Sequence, residues 1–317
     1  MGLPKIGFFL ERGYDHIGAL KGVDFGLDLK YLHAVQAEAH LINEKSLPAL
    51  LPPLLRTQHK YQAGYVCALA SSPGMPGAGM LATLAALRAG AGIVRLFHLE
   101  GMEKEFSKAP HELVRTPYTF KDFSQIELEC ERAGSCLIGP GLGKSAEMGQ
   151  FLRSLVPKLS IPLVIDADGL YHLKDHFSSI QVPCVITPHK KEMLHLLGKE
   201  SFACGEFFPL CQAYADAHQI SIVYKGAPTF LFHPNHPPLI INRGDPGMAS
   251  AGTGDVLTGM IAALFAKKMH PRDAAALGVY LHALAGEFAA KKRTSYDVIA
   301  SDLIDSFSDA VKSIQPI

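Results

Sequence analysis

The sequence predicts an α/β fold, with a mostly parallel central sheet covered by helices on both faces. Three observations predict it. From residue 65 onward, short apolar runs alternate with segments of helical period. The strand candidates are apolar throughout, without the in-out alternation of a half-exposed sheet, so both of their faces must be covered. Small-residue turns also follow several of them. In order, strands are expected over 65–70, 93–97, 136–138, 163–165, 184–187, 220–224, 229–232 and 239–241. Helices are expected over 79–89, 123–132, 146–155, 190–197, 209–218, 253–266, 271–290 and 301–313. The last two strands, with Pro234, Pro237 and Pro238 between them, suggest an antiparallel edge. Residues 1–45 show no sustained period and read as an N-terminal extension; residues 46–317 form the domain.

A chain of 317 residues, 48% hydrophobic and 19% charged, has ample core material for one large domain. Lys+Arg and Asp+Glu are both 30, so no global basic field argues for nucleic acid or an anionic membrane as partner. The six cysteines, at 67, 130, 136, 184, 204 and 211, contain no Cys-x-x-Cys pair and read as buried, reduced thiols. The histidines make no metal-ligand spacing with them. The apolar run 6–10 is short for a signal peptide and ends at Glu11-Arg12. The longest apolar stretch, 80–99, is broken by Arg88 and Arg95, which argues against a membrane span. A cytoplasmic protein is the expectation.

Ligands on open parallel sheets bind beyond the carboxyl ends of the strands, near helix N-termini. The turns there carry the chemistry. Ser71 to Gly79 and Gly139 to Gly143 are small enough for a ligand to approach the backbone. Asp166-Ala167-Asp168 places two acids at a strand end, fit for a metal–phosphate complex or for a helix cap. Thr187-Pro188-His189 puts a histidine in the opening turn of a helix. Each also fits an ordinary strand-to-helix turn. More telling are Lys225-Gly226-Ala227-Pro228-Thr229 and Gly252-Thr253-Gly254-Asp255, the latter opening an apolar helix. Gly252 to Gly254 offers free amides at a helix N-terminus, an anion hole. Asp255 beside it would repel an anion. Its presence makes chemical sense if it takes a proton from an attacking hydroxyl, while Lys225 neutralises phosphate.

Together these segments, from Arg56-x-x-His59-Lys60 through 72–79, 86–92, 139–143, 166–168, 187–189 and 225–226 to Gly252-Thr253-Gly254-Asp255-Val256-Leu257-Thr258-Gly259, resemble the ADP-dependent NAD(P)H-hydrate dehydratase family of the ribokinase-like superfamily. The resemblance implies a ribokinase-like fold and a hydro-lyase. A nucleotide, ADP or ATP, phosphorylates the ring hydroxyl of hydrated NADH or NADPH, and phosphate leaves to restore the double bond. It further implies that Ala78, Gly141, Gly143, His189 and Asp255 contact the hydrate. Lys225, Gly226, Ala227, Pro228, Thr229 and Gly254 would hold the nucleotide, with Asp255 as the base. Mg²⁺ is the implied cofactor, with no ligand residues assigned, and a homo-oligomer is expected.

Two departures stand out. Ala251 replaces the family's first glycine before Gly252, and Lys190-Lys191 replaces Pro-Gly after His189. The family's companion epimerase domain is larger than residues 1–45, so only a remnant of the junction is expected there, around 16–27. The competing readings are a ribokinase-like small-molecule kinase of the hydroxyethylthiazole type, with the same anion hole and base, and a nucleotide-binding regulator without chemistry.

Overall fold

The computed structural model describes residues 3–315 apart from 19, 25, 27, 29 and 32–36. Its centre is a ten-stranded sheet. In chain order the strands are β1 (His40–Leu41), β2 (Tyr65–Leu69), β3 (Ile93–Leu99), β4 (Val114–Tyr118), β5 (Ser135–Ile138), β6 (Leu163–Ile165), β7 (Cys184–Ile186), β8 (Ser221–Tyr224), β9 (Thr229–His233) and β10 (His236–Ile241). They lie side by side as β1-β10-β9-β8-β7-β6-β5-β2-β3-β4, and all neighbours run parallel except β9, which is antiparallel to β8 and β10.

The apolar runs explain the layering. All five residues of β2 are buried. Val66 and Ala68 enter one core, while Tyr65, Cys67 and Leu69 enter the other, as the two-residue period of a strand requires. Over the first core lie α2 (Pro76–Arg88), α8 (Thr253–Ala266), α9 (Pro271–Lys292) and α10 (Ala300–Ile314). Over the second lie α3 (Ser124–Cys130), α4 (Ala146–Leu155), α5 (Asp168–Leu173), α6 (Lys190–Leu197) and α7 (Phe207–His218). α8 is buried on every residue from Val256 to Ala266, which is why its sequence is apolar all round.

The N-terminal segment is tied to this body. Phe9, 2% exposed, sits in the second core, with Ile6, Phe8 and Leu10 against the same cluster, near α1 (Gly13–His16). β1 pairs with β10, so the antiparallel β9–β10 hairpin is present but is not the sheet's edge. Its register shifts between His236 and Leu239, across the two prolines that have no amide to donate. Of the expected junction remnant, Phe25 and Leu27 lie outside the described residues. The cysteines are free; all are buried but Cys204. Among the described residues no helix is long and apolar enough to cross a membrane.

Strand order reverses direction between β2 and β5: β3 and β4 extend one way from β2, and β5 to β8 the other. The turns after β2 and β5 therefore lie at the switch point of the sheet, where the ligand crevice of such folds forms at the strands' carboxyl ends. α8 reaches this crevice by passing very close to α2. A Cβ at Gly259 would meet the Ala82 carbonyl carbon at 2.8 Å, a backbone atom that cannot swing aside. We expect Gly259→Ala to lower stability by about 1–3 kcal/mol through overpacking, read as a lower urea midpoint. An unchanged midpoint would show that the α2–α8 contact is looser than described.

Candidate active site

The site is built where β6, β8 and α8 end or begin together. Asp166 follows β6 and is 1% exposed. Lys225, following β8, donates from Nζ to Asp166 Oδ1 at 2.7 Å and lies 3.7 Å from Glu192 Oε2. Thr258, fully buried on α8, donates from Oγ1 to Asp166 Oδ2 at 2.7 Å. An ammonium buried this way would lose its charge to desolvation, but the two carboxylates outweigh burial and hold the Lys225 pKa above its ordinary value. The Lys225 ammonium, expected to reach phosphate, sits between two acids of the protein.

Gly252 caps α8 with a φ of +91°, the left-handed conformation that glycine adopts freely, and no side chain caps the first-turn amides. The left-handed residue is thus Gly252, and the alanine at 251 sits where no glycine is demanded. Gly254 lies directly over the ion pair: a Cβ there would stand 3.4 Å from Lys225 Nζ and 3.8 Å from Asp166 Oδ2. Asp255 follows in the same turn. Burial, then the neighbouring Asp166 charge, push its carboxyl up to about 7 against the opposing pull of Lys225; Asp168 and Glu192 add to the rise. An acid that titrates near neutrality can accept a proton and release it again. Glu192 is likewise raised, by burial first, against the pull of Lys225.

The second half of the site flanks the crevice. Gly141 and Gly143 have φ of +66° and +74°, and a Cβ on Gly141 would meet Ala78 Cβ at 2.8 Å. The turns 71–79 and 139–143 are stitched by a hydrogen bond from Ser71 N to the Pro140 carbonyl at 2.8 Å. Asp168, one residue beyond the α5 cap Ala167, accepts from Gly143 N at 2.9 Å, and His172 Nε2 lies 2.8 Å from the Gly143 carbonyl. Ala167 has a φ of +49°, costly for a residue with a Cβ, and this bend sends Asp166 toward Lys225 and Asp168 toward Gly143.

His189 is the N-cap of α6. Its Nδ1 accepts from Glu192 N at 3.1 Å while Glu192 Oε2 accepts from His189 N at 2.8 Å, a reciprocal capping box. Lys225 N donates to the Pro188 carbonyl at 2.8 Å, drawing the two turns together. Gly226 and Ala227 are exposed beyond β8, and Thr229 Oγ1 donates to the Gly226 carbonyl at 3.0 Å. Sequence reasoning did not assign Glu192 or Thr258 to the site. The usable signal for Thr258 is a lone hydroxyl in an otherwise apolar helix; Glu192 is disguised by its capping role. A surface concavity of about 540 Å³, lined by Arg88, Phe307, Val311 and Lys312, lies on the helical layer and holds no such convergence of acids.

Known proteins place this architecture. A family model described as NAD(P)H-hydrate dehydratase matches residues 66–308. The bifunctional NAD(P)H-hydrate repair enzyme Nnr of Moorella thermoacetica is 33% identical over 99% of this chain and 61% of its own length. This chain thus spans about three-fifths of that relative. Among solved structures, a ribokinase-like superfamily protein of Enterococcus faecalis aligns with a TM-score of 0.77 at 25% identity, over 89% of this chain and 98% of its own. The ADP/ATP-dependent NAD(P)H-hydrate dehydratase of Bacillus subtilis, co-crystallised with ATP/Mg²⁺, aligns with a TM-score of 0.76 at 25% identity, over 87% and 99%. With a ribokinase-like sheet, an uncapped glycine-led helix over a buried Asp–Lys pair and a family match over most of its length, the chain belongs to the NAD(P)H-hydrate dehydratase family.

Proposed function

We propose that the chain dehydrates hydrated NADH or NADPH at the expense of ADP or ATP, with Asp255 as the base. The observation that carries this reading is Asp255 itself: a carboxyl held near neutrality in the first turn of a helix whose amides are free for phosphate. The ring hydroxyl attacks the terminal phosphoryl group, Asp255 takes the hydroxyl proton, and AMP or ADP leaves. The phosphate ester then breaks its C–O bond, a ring proton is lost, and the double bond returns. The hydrate lies in the crevice against Ala78, Gly141, Gly143 and His189. The nucleotide lies along Lys225 to Thr229 and over Gly254, where its phosphates meet the α8 amides.

Asp166, Glu192 and Asp255 share one lysine, and Asp168 adds a further negative charge near Asp255, so an anionic polyphosphate needs a further cation. Mg²⁺ fits that need. Among the described residues no three His, Cys, Asp or Glu side chains form a metal cage. Both oxygens of Asp166 are engaged by Lys225 and Thr258, so the ion would be held chiefly by the phosphates and water, as magnesium commonly sits, with Glu192 the carboxylate nearest to hand. It would neutralise charge on the phosphates. Lys225 also fixes the Asp166 and Glu192 carboxylates beside them.

Millimolar ADP or ATP with Mg²⁺ should raise the melting temperature by mass action; no shift with either would contradict the nucleotide site. Asp255→Asn should lower turnover of the hydrate by about 10²–10⁴-fold, followed as recovery of dihydronicotinamide absorbance. A mutant within threefold of wild type would remove the base, and a stable phosphate ester as product would mean a kinase. The same substitution should change stability in the opposite direction. Asp255 ionises near 3.8 when unfolded and about 7 when folded, so stability falls as pH rises through that window and stays lowered above it. The mutant lacks this penalty. Its melting temperature should equal that of wild type near the lower limit and exceed it above the upper; a mutant less stable at pH 8 would contradict the raised pKa.

A further inference from the structure

One buried group beside the site is unaccounted for by the chemistry above. His282 lies on α9 in an otherwise small and apolar stretch, 8% exposed. Its Nε2 is 2.9 Å from the carbonyl oxygen of Thr253, the first residue of α8. A carbonyl only accepts, so Nε2 carries the proton. Burial keeps the ring neutral, lowering its pKa to about 4, so the bond persists throughout the neutral range.

The bonded carbonyl shares a peptide unit with the amide of Gly254. That unit is planar and trans, so its N–H points away from its C=O. Whatever holds the Thr253 oxygen therefore sets where the Gly254 N–H points. Donation to the oxygen also polarises the amide, because hydrogen bonds in a chain strengthen one another. Within α8 this plane is held by helical backbone alone: Gly252 and Gly254 have no side chains, and Thr253 Oγ1 is engaged with the Met248 and Ser250 carbonyls, both at 3.0 Å. A histidine on a neighbouring helix adds a side-chain restraint on the Thr253 oxygen.

We propose that His282 is a positioning residue for phosphate binding, its Nε2–H holding the Thr253 carbonyl so that the Gly254 amide points into the anion hole. This rests on the reading that α8 receives the nucleotide phosphates. The test compares ADP with adenosine, which lacks phosphate, by calorimetry on wild type, His282→Leu and His282→Gln. Loss of the donor in His282→Leu should weaken ADP about tenfold and leave adenosine unchanged. His282→Gln, which keeps an N–H, should hold ADP within about threefold of wild type. A merely structural histidine would weaken both ligands together, and equal ADP affinity in wild type and the leucine variant would overturn the proposal alone. Wild type that binds no ADP would overturn the functional reading instead, and the proposal with it. Should the leucine variant fail to fold, the ring tautomer of wild-type His282 by ¹⁵N NMR decides: a proton on Nε2 supports the proposal, and one on Nδ1 overturns it.

Discussion

The buried pair between Asp166 and Lys225 is the constraint on which the site depends. It joins the ends of β6 and β8 at 2.7 Å, and Thr258 fastens α8 to the same carboxylate at 2.7 Å. Three elements far apart in sequence are thereby fixed at one carboxylate. Removing one partner of such a pair strands a buried charge, at a cost of about 3–5 kcal/mol, so the arrangement resists loosening. It also sets the electrostatics. The Asp166 charge is what, after burial, raises Asp255, and Lys225 keeps that rise from going further. A free lysine here would hold Asp255 ionised; no lysine would leave several acids facing one another.

The scaffold delivers this pair through close approach. The first core is lined largely by alanine and glycine where α8 passes α2 and β5, so that helix runs directly beneath the strands and points its N-terminus at the crevice. Around the crevice, strained residues cluster. Ser71, with φ of +74°, lies two residues beyond β2 and accepts from Gly79 N at 3.1 Å; Ala167 lies two residues beyond β6. Both hold the chain in bends that regular structure would not choose, at the points where two strands hand over to the site.

The sheet was largely legible in the sequence because its inner strands are buried on both faces and so are apolar throughout. The exceptions follow from the same rule. β4 carries Arg115 and Pro117 and is half exposed at the sheet edge, which erases the apolar signature. β1 has two residues, too few for a period, and α5 has six, opened by Asp168-Gly169. Residues 1–45 showed no period either, yet Phe9 packs in the core; one buried aromatic leaves no pattern to read. The turns of the site were legible because glycine marks backbone that a Cβ would obstruct. What each acid and base does there was less so. Asp166 and Asp168 look alike in sequence, yet one is buried on Lys225 and the other reaches Gly143. The separation from Lys225 to Asp166 along the chain hides the pairing that takes its charge.

Whether Asp255 is poised to act as a base depends on a single number, the pH at which it ionises in the folded protein. Carbon-13 NMR of the aspartate side-chain carboxyls, with Asp255→Asn to assign the resonance, reads it directly. A midpoint of about 7 is the result this structure predicts. A midpoint near 4, the value of an ordinary aspartate, would contradict the account, because Asp255 would then be a helix-end carboxylate with no special readiness to take a proton.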